Sequence, residues 1–172
     1  MSDKRITQLM ENTPKERALY QNVSSNGDGT GTTELIGAAA ADYYVRPSPG
    51  EKFTLKRLNM VQIDANFNAA TGYGAGAALT NGITVTVEGD NGVIVNYTPI
   101  PIKKTYDWAL LSGVDASSIN AAGADVNIVR WTFSKGCGDI VLDGAKGEFL
   151  KVSFGDAMNF MTSLAIQVQG CK

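Results

Sequence analysis

From Ile83 to Tyr97 the chain reads Ile-Thr-Val-Thr-Val-Glu-Gly-Asp-Asn-Gly-Val-Ile-Val-Asn-Tyr. Ile83, Val85 and Val87 alternate with polar residues, a period of two that only an extended strand with one buried face can satisfy. Gly89-Asp90-Asn91-Gly92 supplies the reversal, and Val93, Val95 and Tyr97 answer on the way back, which predicts a β-hairpin. A hairpin alone is barely stable in water, so further strands must cover its apolar face.

Such strands recur along the chain. Val129, Trp131 and Phe133 alternate around Arg130, Leu150, Val152 and Phe154 do the same further on, and Phe160, Leu164, Ile166 and Val168 share one register near the C-terminus. The pattern predicts that Val85, Val95, Trp131, Val152, Leu164 and Ile166 are buried. Upstream the phase is less regular: Phe53 and Leu55 alternate, the phase slips to Leu58 and Met60, and it slips again to Val61 and Ile63. A strand changes its buried face only through a bulge, so residues 52–64 are one bulged strand or two short ones. Tyr106 to Val114 reads as a short helix or an irregular bridge between sheets. About seven or eight short strands separated by turns give an all-β fold, a β-sandwich of jelly-roll-like form. Glycine, at 19 of 172 residues, supplies the turns, and no internal repeat suggests a propeller or solenoid.

Residues 1–32 differ in composition from the rest of the chain. Charged residues crowd the first 17 positions, and Ser24-Ser25-Asn26-Gly27-Asp28-Gly29-Thr30-Gly31 has linker composition. Ile6, Leu9 and Met10 make one apolar stripe on a short helix that Pro14 would interrupt. The expected organisation is an extended or short helical arm with its linker over residues 1–32, then a β-sandwich domain over 33–172.

Composition removes several functions. The chain has no histidine, which rules out Ser-His-Asp and Cys-His catalysis, His-ligated zinc and histidine pH switching. A net charge of -2 offers no global field for nucleic acid, and no partner of that kind is expected. The N-terminal residues lack the apolar core of a signal peptide and no run of apolar residues is long enough to span a membrane, so neither export nor a membrane partner is expected.

The remaining constellations carry no chemistry of their own. Asn26 to Gly31 resembles the start of a calcium loop, but Gly37 stands where a bidentate glutamate is needed. Gly72-Tyr73-Gly74-Ala75-Gly76-Ala77 resembles a phosphate cradle, yet it leads into a strand where a helix N-terminus is required. A loop of small residues can instead let another chain approach closely, which makes Tyr73, Ala75 and Ala77, with Ile6, Leu9 and Met10, the candidate interface residues. Asp107, Asp115, Asp125, Asp139, Asp143 and Glu148 could supply a glycosidase pair, but nothing in their spacing selects one. No catalytic residue, metal site or cofactor is assigned. Tyr73, Tyr106 and Trp108 are loop aromatics on which a sugar ring could stack.

Residues 72–111 and 129–171 together resemble a group of small structural proteins of tailed bacteriophages. The likeness is carried by Leu79 to Ile83, by Arg130-Trp131 with Phe133, by Asp143-Gly144 with Gly147-Glu148, and by Thr162-Ser163-Leu164 running to Gln169-Gly170. Cys171 stands where that pattern has an aromatic. The resemblance implies a non-enzymatic virion component, a head decoration or cement protein that acts as a homotrimer on the major capsid protein or other virion proteins and assembles in the host cytoplasm. Lys4-Arg5-Ile6-Thr7-Gln8-Leu9 resembles the anchors that begin some tail-fibre proteins, which implies the alternative of a tail or fibre adaptor recognising a host glycan.

A chain assembled in a reducing cytosol keeps its thiols. Thiol titration of the denatured protein without reductant is expected to find both Cys137 and Cys171 free, and finding neither would mean a disulfide.

Overall fold

One long strand organises the molecule. In the computed structural model, which describes residues 19–22, 41–64, 73, 78–121, 124–136, 138–156 and 161–171, that strand is β3 (Lys52–Asp64). The other strands are β1 (Leu19–Asn22), β2 (Ala41–Val45), β4 (Ile83–Gly89), β5 (Gly92–Asn96), β6 (Val114–Ala121), β7 (Ala124–Thr132), β8 (Ile140–Asp143), β9 (Phe149–Phe154) and β10 (Met161–Cys171). One sheet runs β1-β10-β3-β7-β6, with β8 also paired to β3, and the other runs β2-β9-β4-β5. Every pairing is antiparallel.

With the β6–β7 hairpin set aside, the partners nest: β1 with β10, β2 with β9, β3 with β8, β4 with β5. The β3–β10 and β4–β9 ladders then stitch this folded ribbon into two sheets. This is jelly-roll order, and the β6–β7 hairpin widens one sheet beyond it.

The core lies between the sheets, where Tyr43, Val45, Leu55, Leu58, Met60, Val85, Val129, Trp131, Leu150, Val152, Phe154, Leu164, Ile166 and Val168 are buried. Period two thus placed nearly all of the expected interior. The first phase slip in β3, between Leu55 and Leu58, falls where the strand exchanges partners: Lys52 to Leu55 pair with β8, and Arg57 to Asp64 pair with β7. On its other side the β10 register shifts between Gln169 and Gly170, so β3 is a single strand with one irregularity.

The second expected slip does not occur. Gln62 is fully buried while Val61 and Ile63 are only half-buried on the opposite face. The reason is polar: Asn127 Nδ2 donates to Gln62 Oε1 at 2.8 Å across the β3–β7 pair, so the two amides satisfy each other inside. Val95 is a second correction. It lies opposite buried Val87 and shares its inward face, yet it is 40% exposed because β5 is the sheet's edge.

The segment read as a helix or bridge contains a 3-10 helix, Thr105–Leu110, followed by β6. Asp107 Oδ2 accepts from the backbone N–H groups of Lys103 and Lys104, both at 2.9 Å, which fixes the helix start. Trp108 then packs edge-on against Trp131, with ring centroids 6.5 Å apart, and Phe133 lies 5.1 Å from Trp131 on another side. Within residues 1–32, expected to be arm and linker, β1 is paired along β10, so that part of the segment belongs to the sheet.

Trp131 is 1% exposed and sits at the centre of these rings. Its indole N–H has no hydrogen-bond partner among the described residues, so the side chain stabilises the fold by packing. Trp131→Ala is expected to cost about 3 to 5 kcal/mol in denaturant unfolding. An unchanged midpoint would contradict this placement.

Candidate interaction surface

β5 is an edge strand of its sheet. All five of its residues are exposed, with Val93 at 61% and Ile94 at 54%. The hairpin register explains this. Val87 pairs with Val95 but Glu88 pairs with Val93, so Ile94 is the extra residue of a bulge, and its side chain lies over Gly89 of β4 beside Glu148. Three consecutive apolar residues therefore sit on an open sheet edge, a feature that soluble proteins usually blunt with charge or proline.

The exposed apolar surface continues along the chain. Ile100 is 81% exposed and Leu110 77%, and they flank a groove of about 230 Å3 completed by Pro99, Ile102, Leu111 and Asp107. The groove is held rigidly from below. Ile102 exchanges both backbone hydrogen bonds with Ile83, at 2.9 and 2.8 Å, which ties the segment to the start of β4. Gly82 precedes that contact with φ 88°, and a Cβ there would lie 2.8 Å from the Ile102 carbonyl oxygen, so only glycine fits. The Asp156 carboxylate accepts from the backbone N–H groups of Thr80, Asn81 and Gly82, locking the same turn to the end of β9.

The outer face of the β2-β9-β4-β5 sheet has a different chemistry. The Arg46 guanidinium lies over the rings of Tyr44 and Phe149, 4.8 and 4.3 Å from their centroids. Lys151 bridges Asp42 at 3.2 Å and Glu88 at 3.7 Å. Burial works against the Asp42 charge, but hydrogen bonds from Ser153 and Lys151 and the Lys151 ammonium outweigh it and hold the carboxyl below its ordinary range. These groups satisfy one another on the sheet surface.

Of the predicted interface residues, Ile6, Leu9, Met10, Ala75 and Ala77 lie outside the described residues. Tyr73 is inside the protein at 5% exposure and Trp108 is fully buried, so neither is available to a partner or a sugar. The Trp108 indole N–H donates to the Tyr73 hydroxyl, which also bonds Gln62 and Asn127. Burial pushes the Tyr73 phenol well above the usual tyrosine range, so it stays protonated as the hub of this network. Of the three loop aromatics only Tyr106 is exposed; its hydroxyl bonds Lys104 Nζ at 3.1 Å and keeps that ammonium above the ordinary lysine range.

The acidic candidates are spread among turns and ion pairs. Asp107 starts the 3-10 helix, Asp139 pairs with Lys56 at 2.8 Å, Asp143 pairs with Lys52 at 3.4 Å, and Glu148 accepts from the Asp143 backbone N–H at 2.9 Å. Asp125 is buried beside β3, and Asp115 lies in a shallow groove with Arg130. Among the described residues, no three His, Cys, Asp or Glu side chains are grouped closely enough to hold a metal ion, and no helix is long and apolar enough to cross a membrane. Cys171 is a free, half-buried thiol, and Cys137 lies outside the described residues.

No family model matches the chain, and neither a curated protein nor a solved structure matches it.

Sequence reasoning missed the β5 edge, although its signal was present. Val93-Ile94-Val95 places apolar residues on both faces of a strand whose neighbour alternates cleanly. Conversely, Tyr73→Phe removes the acceptor of a buried indole N–H and is expected to cost about 1 to 3 kcal/mol in thermal or denaturant unfolding. Assembly should be unchanged, and a loss of assembly at full stability would return Tyr73 to the contact surface.

Proposed function

We propose that this chain is a non-enzymatic virion structural protein, a capsid decoration or cement protein that binds and stabilises a phage head lattice as an oligomer. The observations that carry the assembly part of this reading are the exposed apolar residues of β5 and the apolar groove flanked by Ile100 and Leu110. Apolar surface of this kind favours a partner, because leaving it in water forgoes the hydrophobic stabilisation that burial would supply. The virion assignment rests on the sequence resemblance of residues 72–111 and 129–171. A rigid jelly roll suits such work, since many weak identical contacts on a lattice add up through effective concentration without any catalytic group.

The tail or fibre reading required aromatics on which a glycan could stack. Burial of Tyr73 and Trp108 leaves Tyr106 alone for that role. The head reading is therefore the better supported of the two.

Cryo-electron microscopy of particles bearing the protein is expected to place it on the outer surface of the head, and density confined to the tail would reject the reading. Ile100→Lys with Leu110→Lys puts charge into the groove at exposed positions. The double variant should fold with stability within roughly 0.5 kcal/mol of the parent for each substitution. It is expected to be retained poorly on particles, and occupancy equal to that of the parent would reject the groove as a contact.

A further inference from the structure

The sequence holds three Asn-Gly pairs, at 26–27, 81–82 and 91–92. Glycine after asparagine leaves the following backbone nitrogen unhindered, and such asparagines are chemically labile. The first pair lies outside the described residues. We propose that the fold shields Asn81 and leaves Asn91, in the β4–β5 turn, as a site of spontaneous deamidation. The Gly92 nitrogen attacks Asn91 Cγ, a new N–Cγ bond replaces the Cγ–Nδ2 bond, and ammonia leaves with the proton from Gly92. Water then opens the cyclic imide at either carbonyl, giving aspartate or isoaspartate, the latter with an extra methylene in the backbone.

The two turns share a dipeptide and differ in what holds it. Asn81 Nδ2 donates to the Gly155 carbonyl oxygen at 2.8 Å, and the Gly82 N–H donates to Asp156 Oδ2 at 2.7 Å. Gly82 is also buried, with its backbone against Ile102. Both reacting groups of that pair are engaged, so a local opening must free them before they can meet. Asn91 and Gly92 are exposed, and no hydrogen bond engages the Asn91 side chain among the described residues. Asn91 lines an open groove of about 330 Å3 beside Lys146 and Glu148, where water has access. The space around Gly92 is clear, since no atom beyond its chain neighbours lies within 4 Å of where a Cβ would stand. Gly92 pairs with Gly89 at the very end of the β4–β5 ladder, where opening costs least.

Mass-spectrometric peptide mapping of the full chain after prolonged incubation in mildly alkaline buffer tests this contrast. In the folded protein Asn91 is expected to convert at least about tenfold faster than Asn81, with isoaspartate among the products, because only the Asn81 pair waits on a local opening. In denaturant the two asparagines are expected to convert at similar rates, since each precedes a glycine. Equal rates in the folded protein, a difference that persists undiminished in denaturant, or an Asn91 that stays intact when folded and converts only when unfolded, overturns the proposal. Asp156→Ala removes the acceptor that holds the Gly82 N–H, and it should speed conversion of Asn81 severalfold while leaving the Asn91 rate unchanged. An unchanged Asn81 rate in that variant, with circular dichroism like that of the parent, would overturn the shielding assigned to Asp156.

Discussion

β3 is the strand on which two layers of structure depend, because it must pair with β10 from Thr54 to Asp64 on one side and with two different strands on the other. A strand presents alternate residues to the core, so serving both β8 and β7 requires one change of phase, which occurs between Leu55 and Leu58. That single irregularity lets Phe53 and Leu55 cover one end of the interior while Leu58 and Met60 cover the middle. Without it, half of those side chains would face solvent, and β10, β7 and β8 would lose a common reference for their own registers.

The other organising element is polar. Trp108, Tyr73, Gln62 and Asn127 form a connected set of buried donors and acceptors beneath the 3-10 helix. A buried amide without a partner is costly, but four groups that satisfy one another specify a geometry as well as a location. The network holds the Thr105–Leu110 helix against the sheet, and the helix in turn presents Leu110 at the groove. Surface and interior are thus linked through Trp108.

How much of this was legible in the sequence depends on what alternation encodes. Period two reports which face a side chain shares with its neighbours, and it correctly grouped Val129, Trp131 and Phe133, then Leu150, Val152 and Phe154. It does not report whether anything lies over that face, which is why Val95 points inward yet remains exposed at a sheet edge. Hydrophobicity also misassigned the end of β3, because a matched amide pair put Gln62 inside in preference to Val61 and Ile63. Tyr73 and Trp108 carry the residue types of a sugar shelf and of a core equally well, and only their mutual hydrogen bond distinguishes the two. The four residues of β1 hold no alternation from which a strand could be read.

The nested pairing of the strands also bears on how the chain reaches its fold. The turn at Asp90 and Asn91 joins β4 to β5 directly, whereas β1 and β10 come from opposite ends of the chain. Closing a loop costs entropy that grows with its length, and each inner pair that forms shortens the effective loop of the next. Zipping outward from the β4–β5 turn is therefore the route of least entropic cost. The β6–β7 hairpin closes on itself and can form in parallel. A nick beside the β4–β5 turn would remove the starting point of the process, whereas loss of β1 would remove only its last step.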